Sequence, residues 1–259
     1  MPDEVTQAGV NDKDFMATFA RGLEVIKSFD NETPSMTLSD LAKKTGLSRA
    51  TARRFLLTLQ KLGYVSNDDK HFKLTAKILD LGYSYLSSLN FTEIITPYME
   101  GVAHKLGESC SATVLDGQDV VYIARIPRRG LIHLNLQIGA RLPAYATSPG
   151  RVLLSTLPNE RLETAINETT FRKLTPNTLD EKELRDELLN VRQQGYAIVD
   201  QELELGMRAV AVPVYDRRNQ VRFALNVSSH VSSSSLEQVR DQFIPVMLQA
   251  AKDMSKVIP

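Results

Sequence analysis

A helix–turn–helix pattern between residues 37 and 62 constrains the fold of this chain more than any other feature of its sequence. Thr37 or Ser39 can cap a helix that ends at Gly46, because glycine tolerates the positive φ found at helix ends. Ser48 can cap the helix that follows. One face of this second helix is apolar and is expected to be core: Ala52, Phe55, Leu56, Leu59 and Leu62. Two helices joined by a short turn that contains glycine are typical of DNA-binding domains.

The flanking residues extend this pattern to a winged helix. Apolar spacing over residues 15–29 predicts a helix before the pair, and residues 31–35 break it. Residues 64–65 and 71–74 are predicted as short strands joined by a turn at 66–70. We therefore expect a winged helix-turn-helix DNA-binding domain over residues 13–76.

The start of the second helix of the pair and the wing hold the candidate DNA contacts. Recognition helices present their N-terminal residues to base edges in the major groove, where arginine can bridge guanine O6 and N7. The candidate DNA-binding residues are Ser48, Arg49, Ala50, Thr51, Arg53, Arg54, Lys70, His71 and Lys73. The alternative is an ordinary amphipathic helix with a solvated basic face.

Charge is unevenly distributed although Lys+Arg and Asp+Glu are both 31. Residues 13–77 carry a net charge of +5, and the chain from residue 78 onward carries −2. This division suits a nucleic-acid-binding head on a nearly neutral body, although +5 is modest enough to arise by chance. The single cysteine, Cys110, excludes a disulfide scaffold, and no apolar run is long enough for a membrane helix. We therefore expect a cytoplasmic protein.

Beyond the wing, the sequence predicts a linker helix over residues 77–90 and an α/β domain over residues 91–259. The linker helix is apolar on more than one face, which predicts that it packs against a second copy. The candidate strands of the domain are residues 110–115, 120–126, 131–138, 197–199, 207–215 and 221–228. Its candidate helices are residues 92–106, 150–156, 159–167, 181–194 and 236–257. This order favours an antiparallel sheet covered by helices.

Known catalytic motifs do not occur in this domain. There is no G-x-S-x-G, no glycine-rich phosphate or dinucleotide loop and no H-E-x-x-H. His104, His133 and His230 are scattered, and Cys110 lies in an apolar strand. The chain is therefore not expected to be an enzyme, and we predict no cofactor and no metal site.

A binding site is better supported, at the loop of residues 139–151. Its small residues let backbone N–H groups approach a ligand, and Thr147 or Ser148 can cap the helix that follows. The N-terminus of a helix attracts anions, and Arg141 and Arg151 at the two ends of the loop can pair with carboxylates. The alternative is a plain loop whose arginines point to water.

Four motifs in this order resemble the IclR family of bacterial transcriptional regulators. They are RGLEVIKSF, LSDLAKKTGLSRATARRFLLTLQKLGYV, IGARLPAYATSPGRVLL and GYAIVDQELELGMRAVAVPVYD. The resemblance implies a mixed α/β (α+β) protein with a winged helix-turn-helix, a linker helix and a GAF-like effector domain. It also implies homodimers, or pairs of dimers, that bind an inverted repeat in double-stranded DNA.

YLSS, GARLPAYATSPGR and VDQELELG look closest to the branch that regulates protocatechuate and β-ketoadipate pathway genes. Regulators of that branch usually activate transcription, with RNA polymerase as a further partner, and respond to protocatechuate or β-ketoadipate. The candidate effector-binding residues are Arg141, Ala144, Tyr145, Ala146, Thr147, Ser148, Arg151, Met207 and Ala209. Some family members hold their ligand with an aspartate where this chain has Val199, so here the ligand must be held differently.

Two alternatives remain open at this point. One is an IclR-type regulator, often a repressor, of another carboxylic-acid or sugar-acid operon. The other is an enzyme or metabolite-binding protein whose winged helix makes only protein contacts.

Overall fold

A computed structural model describes residues 15–30, 32–88, 92–127 and 136–258. The chain divides into two compact units, residues 1–88 and 89–259. The first contains three helices with a small sheet, followed by one further helix, and the second contains a six-stranded antiparallel sheet with helices. The expected mixed α/β class is confirmed.

The first unit is a winged helix-turn-helix followed by a helix. Its helices are α1 (Ala17–Lys27), α2 (Leu38–Thr45), α3 (Arg49–Lys61) and, after a 3₁₀ turn at Ala76–Ile78, α4 (Leu79–Ser88). Its strands are β1 (Ser35–Thr37), β2 (Val65–Asp68) and β3 (His71–Leu74). The strands form an antiparallel sheet in the order β1-β3-β2.

Local capping fixes the ends of α2 and α3. The Thr37 hydroxyl accepts from the Asp40 N–H, and the Asp40 carboxylate accepts from the Thr37 N–H, which together form a capping box. The Thr37 hydroxyl also donates to the Asp40 carboxylate at 2.7 Å, and this bond, followed by the one from the Thr37 N–H, lowers the pKa of Asp40. α2 ends at Gly46 in the left-handed conformation, with φ 67°. The Ser48 hydroxyl then accepts from the Thr51 N–H at 3.2 Å and starts α3. The predicted turn and caps are confirmed.

Two expectations for this unit are corrected. Leu62 follows the last residue of α3 and is 52% exposed, so it is not part of the core. Residues 35–37, which the sequence did not predict as a strand, form one because β1 pairs with β3. The buried core is otherwise made of apolar side chains from helices and wing: Val25, Met36, Leu41, Ala52, Leu56, Leu59, Val65 and Phe72.

The second unit is built around one sheet. Its strands are β4 (Ser109–Asp116), β5 (Asp119–Ile126), β6 (Arg141–Pro143), β7 (Ala197–Asp200), β8 (Met207–Tyr215) and β9 (Val221–His230). Its helices are α5 (Thr92–Leu106), α6 (Ser148–Ser155), α7 (Asn159–Glu168), α8 (Glu181–Gln194), α9 (Leu236–Gln238) and α10 (Ile244–Ser255). The strand order is β6-β5-β4-β9-β8-β7, and neighbouring strands are antiparallel.

Two predicted elements of this unit differ from the structure. Of the predicted strand 131–138, residues 131–135 lie outside the described residues and residues 136–138 are not a strand. Strand β6 was not predicted from the sequence. The predicted helix 236–257 is divided, because a π-helical turn at Val239–Phe243 separates α9 from α10.

Alternation along the strands gives the sheet two different faces. Ala211 and Ala224 point to the face covered by α6, where their small side chains let the helix approach closely. The opposite face carries larger apolar residues, such as Val212 and Leu225, and is covered by α5 and α10. Helix α6 is thus enclosed between the sheet and α8, and every one of its residues is buried.

The first turn of α6 is held against the short turn of residues 144–146. A Cβ atom added at Gly150 would lie 2.1 Å from the Ala144 carbonyl oxygen, so only glycine fits at this position. The Thr147 hydroxyl accepts from the Gly150 N–H at 3.3 Å, and the Arg151 Nε donates to the Tyr145 carbonyl at 3.0 Å. The position of the N-terminus of α6 is therefore fixed from several directions.

A buried ion pair joins α6 to the loop between β7 and β8. Arg151 is 1% exposed and donates from both Nη atoms to the two carboxylate oxygens of Glu202, with Nη1 and Oε1 2.9 Å apart. The backbone of the same loop is held by threonine hydroxyls, since Thr178 donates to the Glu202 carbonyl and Thr175 to the Gln201 carbonyl, each at 2.7 Å. The loop of residues 201–206 is thereby tied to the start of α6.

Replacing Gly150 by alanine should destabilise the second unit by about 1–3 kcal/mol, because the new methyl group overlaps the backbone of residue 144. Gly101→Ala in α5 is the matched control, since a Cβ there meets nothing within 4 Å and alanine favours the helix. Urea unfolding followed by circular dichroism measures both. Equal stability of the two variants would contradict the close approach.

Breaking the buried pair should cost much more than breaking a surface pair. We expect Glu202→Ala to lose about 3–5 kcal/mol of unfolding free energy, because it leaves the Arg151 charge buried without its partner. Glu163→Ala, which removes an exposed partner of Arg185, should cost about 0–1 kcal/mol. The double variant Arg151→Met/Glu202→Leu should recover most of the loss, since it removes both charges. If the double variant is no more stable than Glu202→Ala, the ion pair does more than neutralise its own two charges.

Candidate DNA interface and ligand pocket

The candidate DNA residues lie on one end of α3 and on the wing of the first unit. Arg49, Arg53 and Arg54 are exposed, while Ala52 of the same helix is buried in the core. Ser48 is engaged as the cap of α3, and its hydroxyl is 2.9 Å from that of Thr51. Lys70, His71 and Lys73 are exposed on the β2–β3 hairpin. The first unit therefore exposes basic side chains near the start of α3 and on the β2–β3 hairpin.

The second unit contains a pocket between the sheet and the N-terminus of α6. Its volume, including its mouth, is about 420 Å³. It is lined by Tyr122, Leu136, Leu142, Ala146, Thr147, Ser148, Pro149, Val199, Leu203, Met207, Arg208, Ala209, Asn226 and Ser228. Mostly apolar walls with a few polar groups are typical of small-molecule sites.

Two buried polar atoms of this lining have no hydrogen-bond partner within the described residues. They are the Ser148 hydroxyl, on a residue with no exposed surface, and the Asn226 Oδ1, on a residue that is 2% exposed. Buried polar atoms are normally hydrogen-bonded, so these two atoms can bond a group that lies outside the described residues. The neighbouring Thr147 hydroxyl, in contrast, is used within the protein, since it donates to the Pro143 carbonyl at 3.1 Å.

The structure brings together only part of the predicted effector set. Ala146, Thr147, Ser148, Met207 and Ala209 line the pocket. Ala144 and Tyr145 are buried but do not line it. The Tyr145 ring packs on Phe171, with ring centroids 5.1 Å apart, and its hydroxyl donates to the Arg172 carbonyl at 2.9 Å. The expected contact of Tyr145 with a ligand is therefore not supported.

Neither predicted arginine is placed as an anion ligand of the pocket. Arg141 is 47% exposed and forms ion pairs with Asp116 at 2.6 Å and Asp119 at 3.0 Å. The hydrogen bond that Arg141 donates to the Asp116 carboxylate contributes most to raising the pKa of Arg141, and the bond that it donates to Asp119 adds to it. Arg151 is committed to Glu202 inside the fold. In both cases, carboxylates distant in sequence already neutralise these cations.

Several pocket residues were not anticipated from the sequence. Tyr122, Asn226 and Ser228 come from β5 and β9, whose register brings them to the face covered by α6. Burial raises the pKa of Tyr122 to about 12, so its phenol stays protonated at neutral pH. Val199 lies beside Ala209 in the lining, so the position where some relatives carry an aspartate is apolar.

Membrane-spanning helices and metal-binding clusters are absent from the residues that the structure describes. Among them, no helix is long and apolar enough to span a membrane. No group of three or more His, Cys, Asp or Glu side chains in the same residues could hold a metal ion. Cys110 is buried, and burial raises the pKa of its thiol, as expected for an unreactive core cysteine.

Family models match both units. Residues 18–69 match the IclR helix-turn-helix domain, and residues 83–256 match the bacterial transcriptional regulator IclR C-terminal domain. Among solved structures, a transcriptional regulator from Rhodococcus sp. RHA1 is 43% identical with a TM-score of 0.85, covering 94% of this chain and 98% of that one. A double mutant of the inducer-binding domain of PobR from Acinetobacter, in complex with 3-hydroxybenzoic acid, is 31% identical with a TM-score of 0.61, covering 64% of this chain and 98% of that one.

Curated relatives are similar over nearly the whole chain. The Pca regulon regulatory protein of Pseudomonas putida is 39% identical over 255 residues, which is 98% of this chain and 88% of that protein. The p-hydroxybenzoate hydroxylase transcriptional activator of Acinetobacter baylyi is 32% identical, covering 96% of this chain and 94% of that protein. With both family models matched along the same chain, this protein belongs to the IclR family of bacterial transcriptional regulators.

Proposed function

We propose that this protein is a ligand-controlled transcriptional regulator, and an activator, of genes for aromatic-acid catabolism. Family membership makes it a regulator, not an enzyme. Its similarity to regulators of the pca regulon and of p-hydroxybenzoate hydroxylase supports the aromatic-acid pathway and favours activation. The observation that carries the proposal is the pairing, in one chain, of an exposed basic recognition helix with a pocket that has unpartnered polar atoms.

The proposal gives each part of the chain a role. Residues 13–76 bind operator DNA, residues 77–90 link the units, and residues 91–259 bind the effector. The DNA residues proposed are those of α3 and the wing named above. The effector-binding residues that we still propose are those that line the pocket: Ala146, Thr147, Ser148, Met207 and Ala209. We no longer propose Arg141 and Arg151, which do not line it. The protein would act in the cytoplasm, where its DNA lies.

The pocket suits a small aromatic or aliphatic carboxylate. A double mutant of the PobR inducer-binding domain was solved with 3-hydroxybenzoic acid, which has the size and chemistry considered for this chain. Leu142, Val199 and Met207 can cover a ring or chain, while Ser148 and Asn226 offer hydrogen bonds. Protocatechuate and β-ketoadipate are the effectors proposed.

Removing a base contact should reduce specific DNA binding. We expect Arg49→Ala and Arg53→Ala each to cost about 1–3 kcal/mol of binding free energy to the operator, with the fold unchanged. Lys61→Ala is the matched control, because Lys61 is exposed at the opposite end of the same helix. Mobility shifts with specific and non-specific fragments measure the effect. Unchanged affinity and selectivity in both arginine variants would refute the assignment.

Effector binding should depend on the Ser148 hydroxyl. In calorimetric titrations with protocatechuate and β-ketoadipate, Ser148→Ala should weaken the bound compound by up to about tenfold, the value of one hydrogen bond. Ser155→Ala, at the other end of α6, removes a hydroxyl that bonds only the Val152 carbonyl and should have no effect. Binding of neither compound to the parent protein would reject the proposed effectors, whereas full affinity of Ser148→Ala would reject the pocket.

Exposed apolar residues of the first unit support a homodimer. Phe19 on α1 and Leu79, Leu81 and Tyr85 on α4 are at least half exposed, and a second copy would cover them. Sedimentation at micromolar concentration should give at least twice the chain mass of 28.9 kDa. Leu81→Glu should shift the equilibrium toward monomer, and Leu189→Glu, on an exposed position of α8, should not. A monomeric parent protein would contradict the proposal.

A further inference from the structure

A second concave surface of the ligand-binding unit lies at the other end of α6 from the pocket. The pocket adjoins the first turn of this helix, whereas this groove adjoins its end, at Ser155 and Thr156. The volume of the groove, including its open mouth, is about 1610 Å³, which exceeds the roughly 300–1,000 Å³ of small-molecule sites. A groove of this size suits a segment of polypeptide better than a second small ligand.

The lining of the groove combines apolar side chains with three arginines. The apolar residues include Leu115, Leu153 and Val221, which pack in the core around α6. The arginines come from α7, α8 and β9, and they are Arg161, Arg192 and Arg222. Among the described residues that line the groove there is no Asp or Glu. We call this surface the arginine groove.

Two of the three guanidinium groups keep a charge that no carboxylate of the described residues neutralises. Arg161 and Arg192 are exposed and take part in none of the ion pairs formed among those residues. Arg192 donates only to neutral oxygens there, at the carbonyls of Ser155 and Leu157 and the side chain of Asn159. These bonds hold Arg192 at the groove and use three of its five N–H donors.

The third arginine has a carboxylate nearby. Arg222 lies 3.7 Å from the Asp216 carboxylate, which is buried and does not line the groove. The groove as a whole therefore presents more positive charge than its surroundings compensate. Carboxylates bind guanidinium groups in a fork geometry, and arginine is enriched at the centres of protein interfaces. An acidic segment with interspersed apolar side chains is thus complementary to this surface in both charge and polarity.

We propose that the arginine groove binds an acidic segment of RNA polymerase, and that this contact lets the protein activate transcription. The inference rests on the proposed function, because an activator that recruits the polymerase must touch it, and it adds the surface and the chemistry of that contact. The effector and the polymerase segment then bind at opposite ends of the same buried helix, α6.

The test separates activation from DNA binding in the full-length protein. Run-off transcription by purified RNA polymerase is measured on a genomic promoter fragment that the protein retains, at saturating protocatechuate. The variants form a charge series at one exposed position: Arg161→Lys, Arg161→Ala and Arg161→Glu. Arg240→Glu is the matched control, because Arg240 is exposed on the π-helical turn before α10 and does not line the groove.

We expect activation to follow the charge at position 161. The activation factor should fall by about threefold for Arg161→Ala, which loses one exposed attraction, and by about tenfold or more for Arg161→Glu, which places like charges together. Arg161→Lys keeps the charge, so it and Arg240→Glu should stay within about twofold of the parent. Mobility shifts and sedimentation should give the parent's DNA affinity and mass for every variant.

The other outcomes overturn the proposal or its premise. Full activation by Arg161→Glu would reject the groove as the contact. A parallel loss of DNA affinity would assign the groove to DNA, and a changed mass would assign it to a contact between copies of this chain. If thermal melting shows that Arg161→Glu does not fold, Arg161→Ala and Arg222→Gln decide, and full activation by both rejects the role. No activation by the parent protein would instead refute the proposed activator function itself.

Discussion

The position of α6 is the constraint on which the ligand-binding unit depends. This helix is buried along its whole length, and its first turn touches the backbone of residue 144 so closely that only Gly150 fits. Arg151 ties the same turn to Glu202, and so fixes the loop of residues 201–206 beside it. Arg192 holds the other end, since it donates to the carbonyls of Ser155 and Leu157 at 2.7 and 3.0 Å. The positions of the pocket walls beside α6 therefore depend on the contacts that hold this helix in place.

The same packing leaves the pocket with polar atoms that the described residues do not use. Arg151 and Thr147 are both committed to protein partners, while the Ser148 hydroxyl, between them in sequence, has none among the described residues. The small side chains of the sheet leave room beneath the helix, and Asn226 occupies part of it. A rigid frame with a few unpaired polar atoms is suited to discriminate among small ligands, because a wrong ligand leaves those atoms unpaired.

Much of the first unit could be predicted from sequence because its structure is determined locally. Gly46, the capping residues and the apolar spacing of α3 act within a few positions of one another. Strand β1 was not predicted, because its three residues become a strand only through pairing with β3. Leu62 was assigned to the core by spacing alone, although α3 ends just before it.

The ligand site was harder to predict because its determinants are distant in sequence. Arg151 and Glu202 are 51 positions apart, and Arg141 bonds Asp116 across 25, so the loop sequence could not show that both arginines are already paired. Asn226 and Tyr122 required the strand order, which periodicity does not give.

The proposed function requires that ligand binding in one unit changes DNA binding in the other. A ligand can do this only if it favours one arrangement of the protein over another, and the coupling must then be reciprocal. The direct measurement is the affinity for a genomic fragment retained by the protein, determined by fluorescence anisotropy with and without saturating protocatechuate, together with the protocatechuate affinity with and without that fragment. We expect the DNA affinity and the protocatechuate affinity to change by the same factor, of about 5- to 150-fold. A ligand that binds tightly while both affinities stay unchanged would contradict it.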